Sequence, residues 1–281
     1  MAPSSSDAPC SSSPGLIQPT VHCWSLGKTK ALKRVFGSAD LTDSLATSNP
    51  FSSQTKTAVC LPYVSCDLWL RSSTQRTQIL YRADVASILY YLDIRAGETV
   101  LESGTGTLGL TYALSGLVGA HGQVHTVECH PERYVAAQQE IQLAGLSNTT
   151  IYHSTINEFL IQNSTNSGPT QVRPHKIILD IPEPEEVLNT AFAQLPDNGR
   201  LGCFIPCIEQ IQRVIKQAST LPDVQILQMI ESVEILHKPA KISATAYGTV
   251  PACPSKGHTG YLIFFSKLPN TNTNTNSATA N

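Results

Sequence analysis

The sequence predicts an α/β protein: a mainly parallel seven-stranded sheet with helices on both faces, preceded by a small β-rich N-terminal domain. Three observations carry this reading. From Gln75 onward, strand-length and helix-length apolar segments alternate, the pattern of parallel strands joined by crossover helices. A glycine turn, Gly104-Thr105-Gly106-Thr107-Leu108-Gly109, joins one such strand to one such helix. Before Gln75 the texture differs, being rich in Ser and Thr with only short apolar pieces.

Residues 1–15, "MAPSSSDAPCSSSPG", read as a disordered tail lacking the basic and apolar regions of a signal peptide. Residues 16–75 are expected to hold the β-rich domain, with short strands in "TAVCLPYVSCDLWL", where apolar residues alternate only in part. Residues 76–268 form the main domain. It opens with "TQILYRADVASILYYLDI", which sets Ile79, Leu80, Val85, Ile88, Leu89 and Leu92 at helical spacing. "ETVLES" reads as a strand and "LGLTYALSGLVG" as a helix ending at Gly119. "GQVHTVEC" is a strand, followed by the helix "PERYVAAQQEIQLAG", which Pro131 opens and Gly145 closes. "TTIYHS" and "HKIILDI" are strands, and "PEPEEVLNTAFAQL" is a helix with acids at its positive end. "GRLGCFIP" is a strand, "CIEQIQRVIKQAS" an amphipathic helix, and "VQILQMIES" and "TGYLIFFSK" the last two strands. Residues 269–281 are low in complexity and read as a second disordered tail.

Composition narrows the function classes. The chain has 281 residues, 41% hydrophobic and 14% charged, with a net charge of −2. It has no run of about 18 apolar residues, so no membrane span is expected. The eight cysteines form no C-x-x-C pair, so no metal site is expected and the thiols read as reduced and intracellular. The charge balance does not suit unaided nucleic-acid binding. The one basic run, Lys28, Lys30, Lys33 and Arg34, reads as a solvated loop.

Ligands on such sheets bind beyond the carboxyl ends of the strands, where strand order reverses. Four chain positions should reach that rim: Glu102-Ser103-Gly104, Glu128-Cys129, the residues after "TTIYH", and Asp180-Ile181-Pro182. Three of them carry an acid. The turn matches the dinucleotide pattern G-x-G-x-x-G, but Glu102 would oppose a pyrophosphate by roughly 4 kcal/mol at about 4 Å and an effective dielectric of 20. A sulfonium and an ammonium, as in S-adenosylmethionine, suit that acid better. Glu128 can accept two ribose hydroxyls, a role common to both ligand types. Asp180 can accept from an exocyclic amino group and stabilise positive charge developing on a purine ring.

Six blocks then carry a resemblance: "RTQILY", "ESGTG", "HTVECH", "ILDIP", "PCIEQIQR" and "GHTGYL". In order across residues 76–268, they look like the catalytic subunit of the eukaryotic tRNA adenine-58 N1-methyltransferase. The resemblance implies a class I, Rossmann-like methyltransferase that uses S-adenosylmethionine to methylate the tRNA T-loop. It also implies a nuclear heterotetramer in which a related non-catalytic subunit helps to bind tRNA. By motif, Gln78, Ile79, Leu80 and Tyr81 would line the cofactor and acceptor pocket. Glu102 and the run Gly104, Thr105, Gly106, Thr107, Leu108, Gly109 and Leu110 would hold the methionine side. Glu128 would hold the ribose with Arg133 beside it, Asp180 would face the target adenine, and His258 and Thr259 would lie on the substrate side.

Three departures accompany the resemblance. Leu108 stands where the family continues with glycine, and Gly109 is the expected substitute one residue later. Asn157 is the candidate where the family places an Asp on the cofactor's adenine amino group. Acids follow "DIP" where the family has an aromatic residue. Two other readings stay open: a non-catalytic scaffold, favoured by Leu108 and Ile156 and opposed by the three acids, and a dinucleotide enzyme.

Overall fold

The computed structural model describes residues 51–52, 58–59, 65–73, 80–166, 168, 170–243, 246–252 and 257–269. The chain divides into two compact units at Val64–Ser65. In the first, β1 (Phe51–Ser52) pairs antiparallel with β2 (Ala58–Val59). Apart from residues 65–73, the remainder of the expected β-rich domain lies outside the described residues, as do residues 1–15 and residues 270–281 of the C-terminal tail.

The second unit begins earlier than the expected start at residue 76. Strands were expected in "CDLWL", but Cys66–Ser72 forms a helix, α1. Ser65 caps it by accepting from the Leu68 amide at 3.2 Å, which satisfies a donor that a helix start leaves unpaired. Trp69 and Leu70 are buried, and Trp69 stacks on Tyr112 with ring centroids 4.4 Å apart. The Trp69–Leu70 side of α1 thus packs on the main domain, a tertiary contact that strand propensity could not reveal. Helix α2 (Arg82–Tyr91) follows and buries Val85 and Ile88.

Strands and helices then alternate: β3 (Thr99–Ser103), α3 (Gly109–Val118), β4 (Gln123–Glu128), α4 (Pro131–Leu143) and β5 (Thr149–His153). Next come α5 (Ile156–Thr165), β6 (Lys176–Leu179), α6 (Leu188–Gln194), β7 (Arg200–Ile205) and α7 (Ile208–Ala218). The chain continues through β8 (Val224–Glu231), β9 (His237–Lys241), β10 (Tyr247–Pro251) and β11 (Tyr261–Lys267). The seven-stranded sheet has the order β5-β4-β3-β6-β7-β11-β8. Strands β3 to β7 pair in parallel, and β11 runs antiparallel to both neighbours. Among the described residues, β9 and β10 form a separate antiparallel hairpin that periodicity did not anticipate.

Alternation along the strands divides the interior in two. Val100 and Phe264 face a cluster with Val85, Ile88, Leu110 and Leu114. Leu101 and Phe265 face another with Leu160, Leu188, Phe192 and Val214. The sheet is therefore covered on both faces, as expected. Two helices differ from the sequence reading. Residues after β5 form α5, capped by a reciprocal box in which the Glu158 amide donates to Thr155 Oγ1 and the Thr155 amide to Glu158 Oε2. The acids of "PEPEE" belong to a 3₁₀ turn, Pro184–Glu186, ahead of α6. No helix among the described residues is long and apolar enough to cross a membrane.

Candidate active site

The chain runs outward from β3 to β4 and β5, then returns to the other side of β3 for β6 and β7. Strand order therefore reverses between β3 and β6, and the crevice expected there opens at Ser103, Gly104 and Asp180. Gly104 brings the three strand ends together. Its amide donates to the Val127 carbonyl at 3.1 Å, while the Asp180 amide donates to the Ser103 carbonyl at 2.9 Å. Gly104 sits at φ +97°, and a Cβ there would run into the Asp180 carbonyl. Both the torsion and the close approach demand glycine.

The turn that follows is tied to β4. Thr105 and Thr126 share a hydrogen bond of 2.7 Å between their hydroxyls, and the Gly106 amide, at φ +52°, donates to Glu128 Oε2 at 3.2 Å. Thr107 is buried, and its carbonyl accepts from the Trp69 indole at 3.4 Å. Leu108 keeps the left-handed conformation its glycine counterpart would take, φ 60° and ψ 18°. For a residue with a Cβ that conformation costs on the order of 1–2 kcal/mol. The Leu108 side chain has no exposure, so it lines no solvent-filled crevice. Gly109 does not replace the missing glycine. Its absent Cβ makes room for Leu70 Cδ2, which would lie 2.5 Å away. Leu110 is a core residue of α3 and packs in the same cluster as Leu70 and Leu80.

Three carboxylates occupy the rim, in two different settings. Glu128 is buried and held on both oxygens. Oε2 accepts from Gly106, and Oε1 accepts from the His130 amide at 3.0 Å and faces Arg133 Nε at 3.2 Å. Glu102 is also buried, and its Oε2 accepts from the Thr111 hydroxyl at 2.6 Å. Burial pushes its pKa up to about 7, partly offset by hydroxyl donors and reinforced by the charges of Asp180 and Glu128. Asp180 is raised to about 7 as well, by burial. It keeps an open side to solvent, and no described side chain or amide donates to its carboxylate. Glu128 Oε1, Cys129 Sγ and His130 offer ligand atoms within 4.8 Å of one another, but the Glu128 oxygens already serve the turn.

The remaining expected residues separate into groups. Leu80 is buried, and Tyr81 is half-buried directly before α2; Gln78 and Ile79 lie outside the described residues. Asn157 is exposed on the first turn of α5, beyond the end of β5, while neighbouring Ile156 is buried in the core. His258 has both ring nitrogens engaged, Nδ1 with Glu231 Oε1 at 2.5 Å and Nε2 with the Pro206 carbonyl at 2.9 Å. These acceptors raise its pKa and favour the doubly protonated ring. Thr259 donates to Asp84 Oδ1 at 3.0 Å. Thr111, Thr126 and Asp84 escaped the sequence reading. For Asp84 a signal existed, an acid three residues after the residue before a helix; the two threonines act across long separations and left none.

A carboxylate-lined rim of this kind fits a cationic ligand and opposes a pyrophosphate. The family model for the tRNA methyltransferase complex GCD14 subunit matches residues 59–247. The chain belongs to that family. Curated relatives include tRNA (adenine(58)-N(1))-methyltransferase catalytic subunits named TRM61. The one from Candida albicans is 33% identical over 154 residues, covering 53% of this chain and 44% of the relative. The Schizosaccharomyces pombe subunit is 36% identical over 157 residues, covering 52% of this chain and 40% of the relative. The chain thus spans less than half the length of these two relatives. In fold, it is similar to a SAM-dependent O-methyltransferase from Thermotoga maritima, with a TM-score of 0.60, 24% identity and coverage of 73% and 72% of the two chains. It is also similar to the tRNA (m1A58) methyltransferase TrmI from Aquifex aeolicus, with a TM-score of 0.59, 22% identity and coverage of 74% and 78%. Both bear on the fold alone, and both bear out the Rossmann-like methyltransferase architecture.

Proposed function

We propose that this member of the family is a tRNA (adenine-58-N1)-methyltransferase catalytic subunit that uses S-adenosylmethionine. One observation carries the reading: Asp180 stands at the strand reversal, mostly buried with one side reaching solvent and without a donor among the described residues, beside two further carboxylates. Glu102, whose ionisation the charges of Asp180 and Glu128 oppose, and its two neighbours suit a ligand that brings positive charge. The names of the TRM61 relatives support the tRNA adenine as acceptor.

The donor set fits the cofactor. Glu128, already fixed by Gly106 and His130, has lone pairs left to accept ribose hydroxyls. Glu102 supplies negative charge beside the methionine end, and Gly104 keeps the loop backbone free of a Cβ. When bound, S-adenosylmethionine supplies an activated methyl group. Asp180 accepts a hydrogen bond from the exocyclic amino group of the target adenine, which fixes the ring so that N1 points along the line of transfer. As N1 gains positive charge, the Asp180 carboxylate stabilises it. No side chain needs to remove a proton to make N1 nucleophilic.

The reading extends to a two-component nuclear complex, a heterotetramer with a related non-catalytic subunit. Two features support a partner. The net charge is −2, poor for gripping tRNA alone. The outer strand β8 and the segment after it expose Ile226, Leu227, Met229, Val233, Ile235 and Leu236, an apolar area of the kind that marks an interface. The test is calorimetric binding of S-adenosylmethionine to the chain, followed by methylation of tRNA transcripts with and without the partner subunit. N1-methyladenosine at position 58 supports the proposal. Failure to bind the donor, with or without the partner, overturns it.

A further inference from the structure

The segment Gly257–Gly260 lies on the same rim as Asp180. Tyr261 pairs with Ile205 at the end of β7 and with Glu231 at the end of β8, so the residues just before it stand past both carboxyl ends. Gly260 closes tightly on β7, since a Cβ there would meet the Phe204 ring at 2.5 Å. His258 bridges the same two strand ends through Pro206 and Glu231. On the other side of this segment lies the start of α2. Asp84, fully buried, accepts the Thr259 hydroxyl on Oδ1 at 3.0 Å and the Tyr81 amide on Oδ2 at 3.2 Å. One carboxylate thus ties two chain segments that are remote in sequence, Leu80–Tyr81 and Gly257–Gly260. A side chain that only capped a helix would need just the bond from the Tyr81 amide.

We infer that Asp84 is a positioning residue: through Tyr81 and Thr259 it holds the α2 entry and the Gly257–Gly260 segment together as one wall of the acceptor pocket. The inference rests on the proposed function. Asp84 touches neither cofactor nor adenine. It acts by fixing where Tyr81 and Thr259 present themselves to the substrate, so its loss should appear in the use of tRNA and leave donor binding alone.

The test compares Asp84→Asn, Thr259→Val, the double variant and Thr259→Ser in the full chain with its partner subunit. Asn can accept only one of the two hydrogen bonds, and Val keeps the shape of Thr while removing the donor. The expected result is a loss of about tenfold in kcat/KM for tRNA in each single variant, no further loss in the double variant, and near wild-type behaviour for Thr259→Ser. The dissociation constant for S-adenosylmethionine should stay within about twofold of wild type in all four, as for a site that shares no partner with the change. Losses that multiply, a Thr259→Ser as poor as Thr259→Val, or a loss in donor affinity would each overturn the inference. If Asp84→Asn does not fold, the Thr259 pair decides. Hydrogen exchange on the ligand-free chain supplies a readout independent of activity. Thr259→Val should speed exchange at Tyr81 and at residues 257–260 together, and unchanged exchange at Tyr81 overturns the link. A wild-type complex that makes no N1-methyladenosine sinks the proposed function, whereas variants that match an active wild type sink only the role of Asp84.

Discussion

Strands β3 and β8 belong to one sheet, and β8 is the richer in apolar residues, yet it is β3 that is buried. In β3, Val100 and Leu101 are wholly buried on the two faces, and one residue before its end the strand carries a buried carboxylate, Glu102. In β8, Ile226, Leu227 and Met229 all stay exposed on an outer strand. The difference lies in cover. β3 sits at the centre, between β4 and β6, with a packed cluster on each side, so even a charge near its end is forced into the interior. β8 pairs only with β11, and the described residues leave most of its side chains to water. Apolar content says that a strand wants cover; its place in the sheet decides whether its own chain supplies it.

Breaking the centre should have the larger effects. Asp180→Ala should lower single-turnover methylation by about 10²–10³-fold, the scale of a lost transition-state contact, while leaving donor affinity near wild type in calorimetry. Methylation at the native rate would remove Asp180 from the mechanism. Leu101→Ala should cost about 2–5 kcal/mol of unfolding free energy, as for other fully buried leucines. Leu227→Ser on β8 should change the stability of the isolated chain by only about 0.5 kcal/mol. In the same variant, co-purification of the partner subunit should fall. If both substitutions destabilise alike, the contrast between centre and edge fails.

Glu128→Gln keeps the shape of the side chain but removes the charge opposite Arg133 and the ribose, and should weaken donor binding by about tenfold or more. The smallest effect is in pH. Glu102 and Asp180 have folded pKa values near 7, above those of the unfolded chain, so protonation favours the folded state. Their contribution is complete below about pH 4 and is lost as the pH rises towards 7. Melting temperatures of the free chain should therefore fall over that interval. Donor affinity should move the other way, tightening by up to about tenfold per pH unit as Glu102, the acid beside the methionine end, ionises below 7. S-adenosylhomocysteine, which lacks the sulfonium, should show a shallower slope; equal slopes would mean that Glu102 does not sense the sulfonium.

Much of this architecture was legible in the sequence. The seven strands and the glycine turn followed from periodicity and from Gly104, Gly119 and Gly145. The three acids could be placed because strand ends are set by where apolar runs stop. What escaped depended on contacts between distant segments. The helix Cys66–Ser72 packs Trp69 on Tyr112, α5 follows β5 where the sequence reading named no element although Thr155 and Glu158 signalled one, and a Cβ on Gly109 would meet Leu70. Asp180 was found as a strand-end acid, but its lack of a donor could be seen only once the neighbouring backbone was in place.

Leu108 bears on any attempt to transplant this loop. Glycine at that position would relax the torsion but leave a hole where the whole isobutyl group is now enclosed. The turn and its surroundings are therefore matched as a unit. Grafting residues 102–110 onto another protein without α1 and the floor beneath the loop would import the awkward backbone and abandon the packing that keeps it in shape.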